Sequence, residues 1–292
     1  MQLTKKLIAL AALCGTMAGA QAQIDPARGG PVTTMETNPK TYQYISWLLA
    51  ANATATIRYF PDFYTLNSSS INNVTLVDDP AGSGKKVFHM KVAKTDPLVL
   101  GGSRTEISPR NEYVKEGLRW YTFSMYFPGD WVFHNTPTLV AQLHTSQNTA
   151  VVSPPASLTV TDRTLALDFN YNHRSTSSST TDPATRANSV AESIRLGTVE
   201  LNKWYCFVVR ADWSYKPGVG QIQVWMNGTE VFSAKNTYNS YETWLGNYAK
   251  VGLYLPGTMM VPSRRLYADF IHLGGPTSTY DLMYAQTPCA PR

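Results

Sequence analysis

The chain reads as an all-β sandwich of two antiparallel sheets, and three observations lead there. Almost every periodic segment has period two. Trp120–Phe127, Thr164–Tyr171, Trp204–Arg210, Gln221–Trp225 and Leu266–Ile271 alternate, are rich in aromatic and β-branched residues, and end at Gly, Pro, Asn or Asp. Asn227-Gly228 separates Gln221–Met226 from Thr229–Ser233, and this dipeptide favours the type I′ hairpin turn, which needs positive φ at both positions. No segment carries a long helical period, and the helix candidates are short, Tyr42–Ala51 and Tyr241–Leu245. Many short strands at regular spacing without intervening helices pack as a jelly roll of the concanavalin A-like kind.

Taken in order, the sequence opens on Lys5 and Lys6, an apolar run from Leu7 to about Ala20, and the small-x-small site Ala20-Gln21-Ala22. This predicts a secretory signal over residues 1–22 and export to an extracellular or periplasmic space. The run is shorter than the ~20 residues of a spanning helix, so no membrane anchor is expected. Cys14 follows Leu13 where a lipoprotein signal wants a small residue, which argues against lipid attachment. Residues 23–41, rich in Pro, Gly and Thr, read as an extended lead-in, and 42–292 as one β domain. Of three cysteines, Cys206 and Cys289 survive processing, and in an oxidising compartment they are expected to pair. The segment from His173 to Asn188 is Ser/Thr-rich and reads equally as a mobile loop beside a binding face or as disorder. A net charge of +5 with scattered basic residues excludes a nucleic-acid arm and permits an anionic ligand. A monomer is expected.

Three segments each present two polar groups to one side of a strand. In Leu139–His144, Leu139, Ala141 and Leu143 alternate with Gln142 and His144. In Lys250–Leu255, Val251, Leu253 and Leu255 take the core side and leave Lys250 and Tyr254 opposite, with Gly252 between them as a dip for a sugar ring. Arg104 and Glu106 share a side against Thr105 and Ile107. Asp168, Asn170 and Asn172, opposite Leu167, Phe169 and Tyr171, extend the same face. Half-exposed strands alternate in any case, but Arg, Gln, His, Lys and Tyr are not the interchangeable polar residues of a solvated face.

These blocks also resemble a known family. Arg104-Thr-Glu-Ile, Gln142-Leu-His and Tyr248-Ala-Lys-Val-Gly-Leu-Tyr254 are similar to the three signature blocks of jelly-roll polysaccharide lyases, whose alginate-lyase branch has R-[ST]-E-[LV], Q-[IV]-H and Y-F-K-A-G-x-Y. The text from Gly117 to Trp131, Trp225-Met-Asn-Gly228 and Tyr267-Ala-Asp-Phe more closely resembles the heparin-lyase-I-like group, which includes glucuronan lyases. The resemblance spans roughly residues 55–275. Ala249 in place of Phe, and Leu255-Pro256 after the catalytic Tyr, depart from alginate lyases, and basic clusters for sulfates are thin. The resemblance therefore implies β-elimination on an acidic polysaccharide, with glucuronan or a related polyglucuronate ahead of alginate and heparin.

The residue types suit that chemistry. Removing the C5 proton of a uronate requires its carboxylate to be neutralised, a task for the Arg104 fork and the Gln142 amide, with Glu106 orienting Arg104. His144 and Tyr254 supply base and acid, or Tyr254 performs both transfers where H5 and O4 lie on one side of the ring. Lys250, Glu106, Asn170 and Asn172 are assigned to substrate binding. His89 could border the cleft but is read, like His134 and His272, as structural; Trp120, Trp131, Trp204, Trp213 and Trp225 are read mostly as core or strand-edge aromatics, one or two of which could stack on sugar rings; and the pair Arg264-Arg265, which could bind a uronate at a distal subsite, is read as a solvated pair. No cofactor is required and no metal-ligand cluster is seen, though the sequence leaves room for a structural Ca²⁺. The competing functions are a lectin-like binding domain, which needs no acid and base, and a glycoside hydrolase, for which Glu106 and Asp168 are the only carboxylates on the right face.

Overall fold

A computed structural model describes residues 57–59, 64–109, 112–146 and 151–291. The expected signal segment, the expected lead-in and the helix candidate at 42–51 lie outside these residues. Among the described residues sixteen strands form two antiparallel sheets. The first sheet runs β1 (Ile57–Tyr59), β2 (Tyr64–Ser68), β5 (Gly102–Pro109), β14 (Asn247–Pro256), β7 (Thr138–Thr145), β8 (Ala156–Thr161), β9 (Thr164–Tyr171) and β10 (Val190–Thr198). The second runs β13 (Thr229–Thr237), β12 (Gly220–Met226), β11 (Lys203–Trp213), β6 (Gly117–Phe127), β15 (Ser263–Ala268), β4 (Lys86–Ala93) and β3 (Val74–Asp78), with β16 (Leu273–Gly274) also on β6. Consecutive strands repeatedly change sheet, as in a jelly roll.

One side of each sheet supplies the core. Ile107, Ala141, Leu143, Leu158, Leu167, Phe169, Val251 and Leu253 face Phe88, Met90, Phe123, Met125, Phe207, Val209 and Val224 in one buried cluster. Side chains that alternate at period two can fill such a core only from one face, so the polar partners of each strand are delivered to the opposite face. The Asn227-Gly228 turn has φ of 50° and 91°, as type I′ requires.

Two expectations change. Tyr241–Leu245 is not helical: Tyr241 is buried with Val152 and Ala184, and Glu242 makes a bridge to Ser175, which holds this stretch extended. The helix is instead α1 (Tyr280–Tyr284), capped by the Thr279 hydroxyl, which accepts from the Leu282 N–H at 3.3 Å. It lays Met283 on Trp120 and Val208, on the outer side of the second sheet, where Cys289 is joined to Cys206. Finally, Arg264 is not solvated. It is 3 % exposed, on the core side of β15 with Leu266, and stacks its guanidinium 5.2 Å from the Trp131 ring, while Arg265 pairs with Asp130 at 2.8 Å.

Candidate active site

β14 lies between β5 and β7, and their registers assemble the site. Tyr254 stands opposite Arg104 and Gly252 opposite Glu106 on one side; Lys250 stands opposite Gln142 and Tyr248 opposite His144 on the other. All project from the face away from the core. Glu106 is the knot. Buried at 2 % exposure, it accepts a short hydrogen bond from the Gln142 amide, pairs with Arg104 at 3.4 Å, and lies 3.7 Å from the Lys250 ammonium. Arg104 also donates to the Leu100 carbonyl at 3.3 Å and places its guanidinium 4.1 Å from the centre of the Tyr254 ring. Two cations share one carboxylate in a buried setting, so the cluster carries an excess positive charge beneath the surface.

Glu106, Lys250, Arg104 and Gln142 are nearly inaccessible, whereas Tyr254, Tyr248 and His144 keep exposed edges. Glu106 therefore organises its neighbours and is not itself open to a ligand. The His144 Nδ1 lies 2.6 Å from the Thr145 carbonyl. Since a carbonyl only accepts, Nδ1 carries the proton and Nε2 is the acceptor. Burial, and next the Lys250 charge, push the His144 pKa down to about 3. The ring is neutral across ordinary pH and a weak base. Burial and the Glu106 charge raise the Tyr248 phenol above its usual range, so it remains protonated. From the sequence, Tyr248 is named only as the head of its signature block, without a role, although its place two residues before Lys250 puts it on the same face.

Two backbone irregularities correct the strand pattern. β7 bulges at Val140 relative to β8, where Leu139 pairs with Thr159 but Ala141 with Leu158, and β14 bulges in turn relative to β7, its three steps from Val251 to Tyr254 facing two from Ala141 to Leu139. Val140 and Ala141 both enter the core, and Leu139 turns outward beside Tyr254, opposite to the alternation expected. Gly252 is not a dip for a sugar. Its φ is 139°, and a Cβ there would strike the Thr105 carbonyl and the Glu106 Cα, so glycine is required by the bulge itself. Gly102 has the room-making role, because a Cβ there would run into the Tyr254 ring.

From Tyr254 a cleft of about 620 Å³ crosses the sheet over Leu139 on β7, Ser157 on β8, Asp168 and Asn170 on β9, to Ser193 on β10. Its floor follows the register, with Ser157, Asp168 and Ser193 mutually opposite on successive strands, in line with the buried Gln142 on β7. Of the four residues expected to carry the chemistry, Tyr254 lines the cleft directly. Asp168 accepts from the Thr159 and Ser193 hydroxyls at 2.5 and 2.7 Å, and Asn170 donates to the Pro154 carbonyl at 3.0 Å. Asn172 does not serve the cleft. It is buried, and its amide donates to the Asn188 carbonyl at 2.8 Å, anchoring the 173–188 loop. That loop is pinned at further points by buried Thr176 and Ala184. Glu106 and Asp168 are four strands apart, about 19 Å at ~4.8 Å per strand, too far for the ~5–9.5 Å carboxylate pair of a glycoside hydrolase. Among the described residues no three His, Cys, Asp or Glu gather as metal ligands, and no helix is long and apolar enough to cross a membrane.

The family model described as "Polysaccharide lyase" matches residues 56–272. Among solved structures, the chain is similar to an endo-β-1,4-glucuronan lyase from the fungus Trichoderma reesei, at TM-score 0.59 and 19% identity, over 71% of this chain and 87% of that one. It is also similar to alginate lyase A1-II′, a member of polysaccharide lyase family 7, at TM-score 0.47 and 15% identity, over 70% and 84% of the two chains. No curated protein sequence matches the chain.

Proposed function

We propose, from the premise that this chain belongs to the polysaccharide lyase family, that it is an exported enzyme cleaving a non-sulfated polyuronate, glucuronan or a close relative, by β-elimination. The observation that carries the acidic substrate is the buried cluster in which Arg104 and Lys250 share the single carboxylate of Glu106, directly behind Tyr254 at the head of the cleft. Positive potential held in a low-dielectric setting acts on a uronate carboxylate without reorganisation of water, and the same potential offsets charge developing at C5.

In the reaction, the C5 proton leaves, the C4–O4 bond breaks, a C4=C5 double bond forms, and the leaving O4 takes up a proton. His144 is a poor base, with a pKa near 3, and serves as a hydrogen-bond acceptor through Nε2. Tyr254 is left to take the C5 proton and return it to O4. One group can do both only where H5 and O4 share a side of the ring, as in glucuronate and mannuronate. This geometry, with the fold shared with a glucuronan lyase, favours glucuronan. Arg104 and Gln142 hold the carboxylate environment, Lys250 extends it, and Asn170 offers its remaining amide oxygen to sugar hydroxyls. The disulfide supports export to an oxidising compartment.

The test is a screen of the purified protein on glucuronan, alginate, heparin, hyaluronan and pectate, followed by ultraviolet absorbance of the unsaturated product, with Tyr254→Phe beside the wild type. Tyr254→Phe is expected to lower turnover on the best polymer by ~10²–10⁴-fold with little change in melting temperature. Near-normal turnover in that variant would overturn the mechanism.

A further inference from the structure

We infer that Arg186 forms a distal anion subsite of the cleft, binding the carboxylate of a uronate several sugar residues from the bond that is cleaved. The inference rests on the proposed polyuronate activity and adds to it a residue that sets chain-length dependence. The cleft runs from Tyr254 on β14 to Ser193 on β10, four inter-strand spacings or about 19 Å. A chain of several sugar residues spans such a length. Among the described residues Arg186 is the one basic residue lining it, and it stands at the end opposite Tyr254, with Ala191, Glu192 and Ser193.

Its position is built rather than incidental. Arg186 is the second residue of a turn closed at both ends: the Thr185 N–H donates to the Asn188 side-chain oxygen at 2.8 Å, and the Asn188 N–H donates to the Thr185 hydroxyl at 3.2 Å. Asn172 grips Asn188 from the end of β9, and Ala184, fully buried against Val152 and Tyr241, fixes the chain just before the turn. The backbone that presents the guanidinium is thus held on both sides.

The charges around it are already committed, and Arg186 is not. Asp182, the acid of the same loop, is taken by Arg174 at 2.5 Å. Asp168 is occupied by two hydroxyl donors, and Glu192 accepts from Tyr171 at 3.2 Å. Among the described residues, no carboxylate pairs with Arg186. An exposed guanidinium with five free N–H groups on a cleft wall matches a carboxylate bidentately. The excess charge of Arg104 and Lys250 lies at the other end, so a polyanion is drawn at both ends of the cleft. Between them Asp168 faces the chain where hydroxyls, not carboxylates, are accepted.

The experiment compares wild type, Arg186→Gln and Arg186→Lys on a ladder of oligouronates and on the polymer that the wild type cleaves best, with Lys235→Gln on the second sheet as a control for net charge. Arg186→Gln is expected to raise KM about tenfold for long chains and polymer, the effect of one charge-assisted hydrogen bond, with kcat unchanged and the shortest cleaved oligomers unaffected. Arg186→Lys is expected to recover part of the loss, and the rise of wild-type KM with salt to flatten in Arg186→Gln. KM values that match wild type at every chain length, or that rise equally at all lengths or equally in Lys235→Gln, would overturn the subsite while leaving the lyase activity standing. A wild type that cleaves none of the acidic polymers would instead overturn the activity on which the subsite rests.

Discussion

Replacing Glu106 with Gln tests the site at its most constrained point. The substitution keeps shape and volume, and the Gln carbonyl can still accept from Gln142, so the perturbation is almost purely the loss of one buried charge. At 3.4 and 3.7 Å from Arg104 and Lys250, the carboxylate interacts with each cation by about 4.5–5 kcal/mol at an effective dielectric of ~20. Desolvation offsets much of that attraction in the wild type. In Glu106→Gln the attraction is gone, but Arg104 and Lys250, at 7% and 5% exposure, remain desolvated and now repel each other. Removing one partner of a buried pair costs about 3–5 kcal/mol, and in a domain of this size each kcal/mol moves the melting temperature by about 2–4 °C. Thermal melts should therefore show a fall of roughly 6–20 °C, and turnover should collapse because Arg104 no longer braces the Tyr254 ring. Adding Lys250→Met removes one stranded charge, so the double variant should recover at least ~1 kcal/mol relative to the sum of the single changes. A Glu106→Gln protein melting within about 2 °C of wild type, or strictly additive single changes, would refute the account.

Two further outcomes follow from buried groups elsewhere. His272 is fully buried with neither ring nitrogen partnered among the described residues, and burial, then Lys85, push its pKa down to about 3. With the unfolded value near ~6.5, the unfolded chain binds the extra proton between those limits, so the stability is present above about pH 6.5 and is lost as pH falls toward 3. Denaturant titrations over that range should give a slope smaller by up to ~1.4 kcal/mol per pH unit in His272→Asn than in wild type, and parallel slopes would contradict it. The Cys206–Cys289 bridge closes a loop with a sequence separation of 83, worth up to ~4–5 kcal/mol in the chain-entropy model. Replacing both cysteines with Ala should lower the denaturation midpoint accordingly, and alkylation of both thiols in the denatured, non-reduced wild type would show that no bridge exists.

The sequence by itself determined the sheet class, the hairpin at Asn227-Gly228 and the cysteine pair, because each rests on a local or nearly unique cause: period-two burial, a turn that needs positive φ, and only two cysteines beyond residue 22. It also placed Arg104, Gln142, His144, Lys250 and Tyr254 on outward faces of their strands, since alternation is a property of one strand alone. Only the tertiary structure decided which strands are neighbours. Insertion of β14 between β5 and β7 turns three separate polar pairs into one cluster, and no local pattern announces a pairing across such sequence distances. The Val140 bulge inverted Leu139, and the Gly252 bulge changed the reason for that glycine, because one extra residue shifts every side chain beyond it to the other face. Burial, too, was decided there. Glu106 and Asn172 look like ligand-binding groups in a strand pattern, but they are enclosed by partners that arrive from elsewhere in the chain, and enclosure turned the first into the organiser of the site and the second into the anchor of the loop that carries Arg186.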